Sequence, residues 1–290
     1  MDILTQLNRA MAYIESHIDN DIALADVSSV TAYSSYHFGR LFYYIADMPL
    51  SDYIRKRKLS LAAMKLQSGN DKIIDLAVMY GYDSADSFTR AFVKQHGVTP
   101  TTARQSGVSL TIFPPLTFQI KIEGVQAMNV RIEKKETFEV VGVDRRFKND
   151  ETDKISGFWC EKFKDGSLER LKKQMKRNDL MGVCGYMDEK KGDFLYMIAL
   201  PAEKGADTKG FSLIKAPAAT WAIFRSEEFE QTPYGAEIPK LFQSAYKEWL
   251  PSSGYDKVEG SDGEIYDMEI YGVTENGKFF EEVWLSVKKH

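Results

Sequence analysis

The chain has 290 residues, of which 43% are hydrophobic and 28% charged, with a formal net charge of −4. That is enough apolar material for two packed domains. The weak negative charge excludes indiscriminate nucleic-acid binding driven by a basic surface, so any DNA contact has to come from local placement of charge.

Residues 1–107 read as helices. Ile3, Leu7, Ala10, Met11 and Ile14 recur at helical spacing at the start of the chain. "DIALADVSSV" restarts the pattern, with Asp21 as the expected cap. "SDYIRKRKLSLAAMKLQSGN" predicts a longer helix: Ser51 is its expected cap, Tyr53, Ile54, Leu59, Ala62, Ala63 and Leu66 form its apolar face, and Gly69-Asn70 ends it. "DKIIDLAVMYGYDSADSFTRAFVKQHG" predicts a helix, a turn at Gly81 and a second helix, which Gly97 closes and Pro100 follows. Over residues 1–108 there are 11 Lys+Arg and 11 Asp+Glu, a net charge of zero.

Residues 108–124 carry a Pro-Pro break and are expected as a linker or edge strand. From 125 to 290 strand-like runs dominate: "FEVVGVDRRF", "MGVCGYM", "FLYMIALPA", "FSLIKAPAATWAIFRS", "DMEIYGV" and "EEVWLSVKK". Helical stretches near 155–176 and 233–250 interrupt them, giving strand, helix, strand, strand twice over. Such a doubling predicts one α+β domain of two similar βαββ halves with a groove where they meet. Cys160 and Cys184 allow one disulfide, but the expectation is two buried or idle thiols of a cytoplasmic protein. The amphipathic, acidic start is unlike a secretory leader, and no apolar run is long enough to span a membrane. His17, His37, His96 and His290 are scattered, so neither a metal site nor a cofactor is expected.

One motif occurs twice. Phe88-x-Arg90-x-Phe92 repeats Phe38-x-Arg40-x-Phe42, each behind a short helix and a tight turn, which is a helix-turn-helix pattern. Phe38, Leu41 and Phe42, like Phe88, Ala91 and Phe92, fall at i, i+3, i+4 and anchor the second helix. That spacing leaves Ser34, Ser35, Tyr36, His37, Gly39 and Arg40 on one outer face, and Ser84, Asp86, Ser87, Thr89 and Arg90 on the other. Small hydroxyl residues allow close approach to phosphates, and Arg forks onto guanine in the major groove. The helix from about 51 to 68 would be ~27 Å long, close to the ~34 Å between successive major grooves on one face of B-DNA. Within it, Arg55-Lys56-Arg57-Lys58 is either a solvated face or a phosphate-attracting one.

Residues 8–104 resemble the DNA-binding domain of the AraC/XylS transcription regulators, through "LADVSSVTAYSSYHFGRLF", "YIRKRKLSLAAMKL" and "IIDLAVMYGYDSADSFTRAFVKQHGVTPTTAR". The resemblance implies base contacts at Tyr36, Gly39 and Arg40 and at Ala85, Asp86, Ser87, Thr89 and Arg90. Gly39 stands where a long polar side chain often reads a base, which shifts readout toward Arg40.

All four tryptophans lie in the second half. In "FFEEVWLSVKKH" a strand puts Glu282 and Trp284 on one face, a pairing suited to a flat cation. Residues about 128–288 resemble the GyrI-like small-molecule-binding domain, through "ISGFWCEKF", "EWLPSSGY", "DMEIYGV" and "EEVWLSV". That resemblance implies a groove for hydrophobic, often cationic, compounds and carries the family glutamate onto Glu282; Trp159, Tyr186, Trp221 and Tyr271 are further candidates from strand phasing.

The expectation is therefore a non-enzymatic transcription regulator with the order of the Rob-like members of the AraC family, an all-α tandem helix-turn-helix domain followed by an α+β domain. It would bind adjacent major grooves of double-stranded DNA as a monomer and sense a small effector, with RNA polymerase as a further candidate partner. The rivals are a hydrolase with Glu282 as general base and an interaction module without ligand.

Overall fold

The computed structural model describes residues 3–119, 128–149, 151–188, 191–203, 205–230, 235–258 and 265–289. Seven helices come first: α1 (Ile3–Ser16), α2 (Leu24–Ser29), α3 (Ser35–Ala46), α4 (Leu50–Ser68), α5 (Ile73–Met79), α6 (Ala85–His96) and α7 (Pro100–Ala103). Contacts divide the chain into two compact units: a helical unit, Met1–Tyr33 with Ala46–Lys121, and a sheet unit, Ser34–Ile45 with Ile122–His290. Helix α3 thus packs as part of the sheet unit.

In the helical unit the periodicity works as the sequence predicts. Leu59, Ala62, Ala63 and Leu66 of α4 form one core with Leu76, Ala77, Tyr80, Phe88 and Phe92. Two caps differ. Asp26, not Asp21, caps α2: its carboxylate accepts the Ala23 N–H at 3.0 Å, the reach of a side chain three residues ahead. Helix α4 starts at Leu50, ahead of Ser51, because Pro49 has an extended backbone with its φ locked by the ring. Gly97 ends α6 at φ 73°, a left-handed conformation that glycine adopts without strain.

Residues 108–119 have no regular secondary structure, and side chains of the helices tie them down. Arg57 Nη1 donates to the Phe113 carbonyl at 2.7 Å, Leu116 N–H to Tyr53 Oη at 2.9 Å, and Phe118 N–H to Asn8 Oδ1 at 2.8 Å. This stretch belongs to the helical unit, while 120–124 of the expected linker and its boundary at 125 lie outside the described residues.

The sheet unit continues with β1 (Val130–Lys135), β2 (Phe138–Lys148), α8 (Ile155–Lys164), α9 (Ser167–Met175), β3 (Leu180–Asp188), β4 (Asp193–Pro201), β5 (Ser212–Ala216), β6 (Ala219–Arg225), α10 (Ile238–Gln243), β7 (Tyr255–Lys257), β8 (Ile265–Val273) and β9 (Phe279–Lys289). The strand order is β1-β6-β9-β8-β3-β4-β2-β5, with β7 added on β9. The doubling is explicit in that order. The run β2–helices–β3–β4 lays its strands as β3-β4-β2, and β6–α10–β8–β9 lays its strands as β8-β9-β6. The halves meet along the antiparallel β3–β8 pair.

Residues directly paired in such a sheet share a face. Tyr196, Cys184, Asp267 and Leu285 are one such row, and Glu269 with Val283 and Tyr271 with Glu281 share that face. The opposite face carries Val140, Met181, Val183, Met197, Trp221, Ile223 and Met268, a contiguous apolar core. Glu281 secures α10 from below: its carboxylate accepts the N–H groups of Gly235, Glu237 and Ile238 at 2.7, 2.8 and 3.0 Å.

Arg57 is the main polar tie of the helical unit, donating to Glu15 through Nε at 2.9 Å and Nη2 at 2.6 Å. Glu15→Gln is expected to destabilise the chain by about 2–3 kcal/mol at neutral pH, because it strands a buried guanidinium. The Arg57 hydrogen bond holds the Glu15 carboxyl below its usual range. Its contribution is therefore present above the unfolded carboxylate value of about 4.3 and lost as pH falls through the folded one. Urea titrations at neutral and acid pH check this: the penalty of the variant should shrink on acidification.

Candidate nucleic-acid interface and effector groove

Helix α6 is built for display. Ser84 caps it by accepting the Ser87 N–H at 3.1 Å, and Ser87 Oγ returns a bond to the Ser84 carbonyl at 2.9 Å. Phe88 and Phe92 are fully buried and fix the helix from behind. Asp86 and Arg90 are exposed, and Ala85, Ser87 and Thr89 are half-buried beside them. The five positions predicted to contact bases on this helix therefore lie at its start, two of them exposed and none buried. Ser87 is occupied by the cap, which leaves Arg90 as its long donor.

The basic run on α4 is mostly internal. Arg57 is bound to Glu15, and Lys58, also buried, donates to the Asn20 carbonyl at 2.8 Å. Lys56 sits 5.0 Å above the Phe113 ring. Only Arg55 is exposed, and it pairs with Asp52 at 2.9 Å. Neither a solvated face nor a phosphate-attracting one describes this cluster, because two of its four charges hold the fold together.

Helix α3 departs most from expectation. The face predicted to point outward is covered: Ser35, Tyr36, His37 and Arg40 are buried, and Gly39 is half-buried. The physical reason is that the sheet unit supplies polar and aromatic partners for them. Tyr36 packs on Phe194 of β4 with ring centroids 4.4 Å apart, and Tyr44 stacks on Phe242 of α10 at 4.5 Å. Arg40 Nη1 donates to Tyr36 Oη at 2.7 Å and to Cys184 Sγ at 3.1 Å, and its guanidinium lies 4.5 Å from the Phe242 ring centre.

Beneath it, the β3–β8 seam is acidic. Arg40 lies 4.0 Å from Asp267 and 3.9 Å from Glu269, and Lys257 Nζ is 2.8 Å from Asp267. Glu269 Oε2 accepts from Tyr196 Oη at 3.0 Å and from Tyr271 Oη at 2.8 Å, while Trp159 Nε1 donates to Tyr196 Oη at 2.9 Å. Burial first, and then the Glu269 charge, pushes both phenols well above their ordinary range, so both stay protonated donors. Gly182 makes the room: a Cβ there would collide with the Tyr196 hydroxyl and lie 2.7 Å from Glu269 Oε2. Burial likewise pushes the Cys184 thiol up to about 12 and holds His37 well below its usual value, hence neutral.

The candidates drawn from strand phasing divide between the two faces. Trp159 and Tyr271 join Glu269, with ring centroids 5.0 Å apart. Glu282 pairs with Ile270 on the other face. It is buried and accepts from Arg131 at 2.9 and 3.1 Å, Arg225 at 3.3 Å and Trp284 Nε1 at 2.8 Å. Trp284 is beside Glu282 as predicted, but the carboxylate already holds two arginines. Trp221 is fully buried in the apolar core, and Tyr186 packs against that core from a left-handed backbone position, φ 51°, in the irregular stretch of β3 between Gly185 and Asp188. Sequence reasoning missed Glu269, Tyr196 and Gly182. The available signal was the alternation Asp267, Glu269, Tyr271 inside "DMEIYGV", which lines one face with acids and a phenol.

Both cysteines are free. Among the described residues no helix is long and apolar enough to cross a membrane, and no cluster of His, Cys, Asp or Glu is arranged to hold a metal.

Comparison with known proteins matches a helix-turn-helix domain at residues 27–106 and the GyrI-like small molecule binding domain at residues 128–288, more than half of the chain. The HTH-type transcriptional activator AarP of Providencia stuartii is 35% identical over 100 residues, 34% of this chain and 74% of that protein. The transcriptional regulator Rob of Salmonella typhimurium is 35% identical over 118 residues, 40% of this chain and 41% of that protein. A solved structure of SAV2435 bound to tetraphenylphosphonium aligns over 56% of this chain and 94% of its own, with 17% identity and a TM-score of 0.44. The relatives are thus transcription regulators, matched over less than half of Rob, and the chain itself belongs to the GyrI-like small molecule binding domain family, with an AraC-type helix-turn-helix domain ahead of the matched region.

Proposed function

We propose that the chain is a sequence-specific DNA-binding transcription regulator whose sheet unit senses a hydrophobic cation. The observation that carries the sensing half is the Trp159–Tyr196–Glu269–Tyr271 constellation at the β3–β8 seam. It joins one carboxylate to an indole and two phenols, the combination that attracts a flat or aryl-bearing cation by charge and by ring faces. Glu282 is a weaker carboxylate for that task because Arg131 and Arg225 already neutralise it. For the same reason no general-base role is proposed for it. The reading half rests on α6, with Arg90 as its direct donor to a base edge and Ala85, Asp86, Ser87 and Thr89 around it. Tyr36, Gly39 and Arg40 of α3 form a second reading head when exposed. One chain would serve an asymmetric site, and RNA polymerase is the partner a regulator of this kind would engage.

Two measurements test the reading. Selection of bound sequences from random duplex DNA should yield a defined site with steep salt dependence, and Arg90→Ala should weaken that site by ~1–3 kcal/mol while leaving non-site duplex little changed. An equal loss on all sequences would make Arg90 a phosphate contact. Calorimetric titration with tetraphenylphosphonium should show binding that Glu269→Gln weakens by about 2 kcal/mol or more and Glu282→Gln much less. The reverse order would move the site to the opposite face of the sheet.

A further inference from the structure

The same α3 residues that would read bases fill the groove that would take the effector. Arg40 is 7% exposed and carries its charge at every accessible pH. The charges around it balance in pairs: Asp267 and Glu269 face Arg40 and Lys257, His37 is neutral, and Glu281, the further carboxylate on this face, is taken up by the backbone N–H groups of Gly235, Glu237 and Ile238. Removing Arg40 leaves one uncompensated negative charge, which a monovalent cation would restore.

The fit of Arg40 is also that of a replaceable occupant. Both carboxylates stand at 3.9–4.0 Å from it, beyond direct hydrogen bonding, and its Nε has no hydrogen-bond partner among the described residues. Tyr36 and Tyr44, which accept from Arg40 at 2.7 and 3.4 Å, lie on α3 itself and travel with it; across to the groove the guanidinium meets the Cys184 thiol at 3.1 Å and the Phe242 ring at 4.5 Å. A permanent structural arginine in this same chain, Arg57, bonds a carboxylate directly: it donates to Glu15 at 2.9 and 2.6 Å and to the Phe113 carbonyl at 2.7 Å.

We propose that α3 is a built-in competitor of the effector: Arg40 holds the cation position at the β3–β8 seam, α3 reads DNA only after leaving it, and a cation that takes that position favours the departure. This rests on the cation-sensing reading above and adds its regulation. The coupling is thermodynamic. Tyr36 and Arg40 cannot sit in the protein groove and in a DNA groove at once, so whatever occupies the seam in place of Arg40 shifts the population toward free α3.

Cys184 reports the position of α3 directly, because it is buried beneath Arg40 and its thiol is protected. In the Cys160→Ser chain, saturation with the selected duplex should raise the rate of Cys184 alkylation by iodoacetamide by about tenfold or more, as expected for exposure of a shielded thiol. Duplex bound at saturation with Cys184 still as slow as in the free protein would overturn the proposal, since α3 would then have stayed in place. A second arm uses Arg40→Ala, which should bind tetraphenylphosphonium several-fold more tightly than the parent because the competitor is gone. Equal or weaker binding would show that Arg40 does not occupy the cation position. If neither protein binds the cation, the sensing reading and the competition both fall, and the alkylation arm separately decides whether α3 leaves the groove on DNA.

Discussion

A buried guanidinium that cannot lose its charge sets the conditions for the sheet unit. Arg40 is removed from water, and that removal is tolerable only where opposite charge and ring faces replace the lost hydration. Asp267, Glu269, Cys184, Tyr36, Tyr44 and Phe242 together supply that surrounding. None of them would be a sufficient partner alone. The guanidinium and the seam are therefore matched, and the seam without Arg40 is an acidic, aromatic site short of one positive charge.

The place of that seam follows from the doubled sheet. Two βαββ halves joined through β3 and β8 put the central strands at the symmetry position, with α8 from one half and α10 from the other on the same side. Period-2 alternation along β8 then lines that side with Asp267, Glu269 and Tyr271 and turns Met268 into the apolar core behind. Gly182 on the neighbouring strand leaves the space in which Tyr196 and Glu269 meet. Architecture, alternation and one missing side chain thus place a carboxylate where the halves of the domain converge.

In the helical unit charge is used differently. Residues 1–108 have no net charge, and Arg57 and Lys58 of the basic run are spent on internal bonds. A DNA reader of this composition draws little from general attraction to phosphate and depends on the few side chains displayed at a helix start. Helix α6 has that form: its cap closes the backbone donors, its phenylalanines fix it from behind, and Arg90 extends from the exposed face.

The sequence alone determined most helices, the strands and their doubling, because these are written as local periods: apolar spacing in α1, α4 and α6, alternation in β8 and β9, left-handed glycine at Gly97; the stretch expected as one helix near 155–176 is two, α8 and α9, parted at Gly166 with φ 75°. It also determined the pairing of Glu282 with Trp284, two residues apart on one strand. What only the tertiary structure decided is what each polar face meets. The spacing of α3 made Tyr36 and Arg40 an outer face, but whether that face meets water, DNA or the seam depends on Cys184, Phe194, Phe242 and Glu269, all more than a hundred residues away. The choice between Glu269 and Glu282 is of the same kind. Local pattern sets which side of a strand a carboxylate takes, whereas the cations and rings around it come from other strands and helices, and long-range packing brings those together.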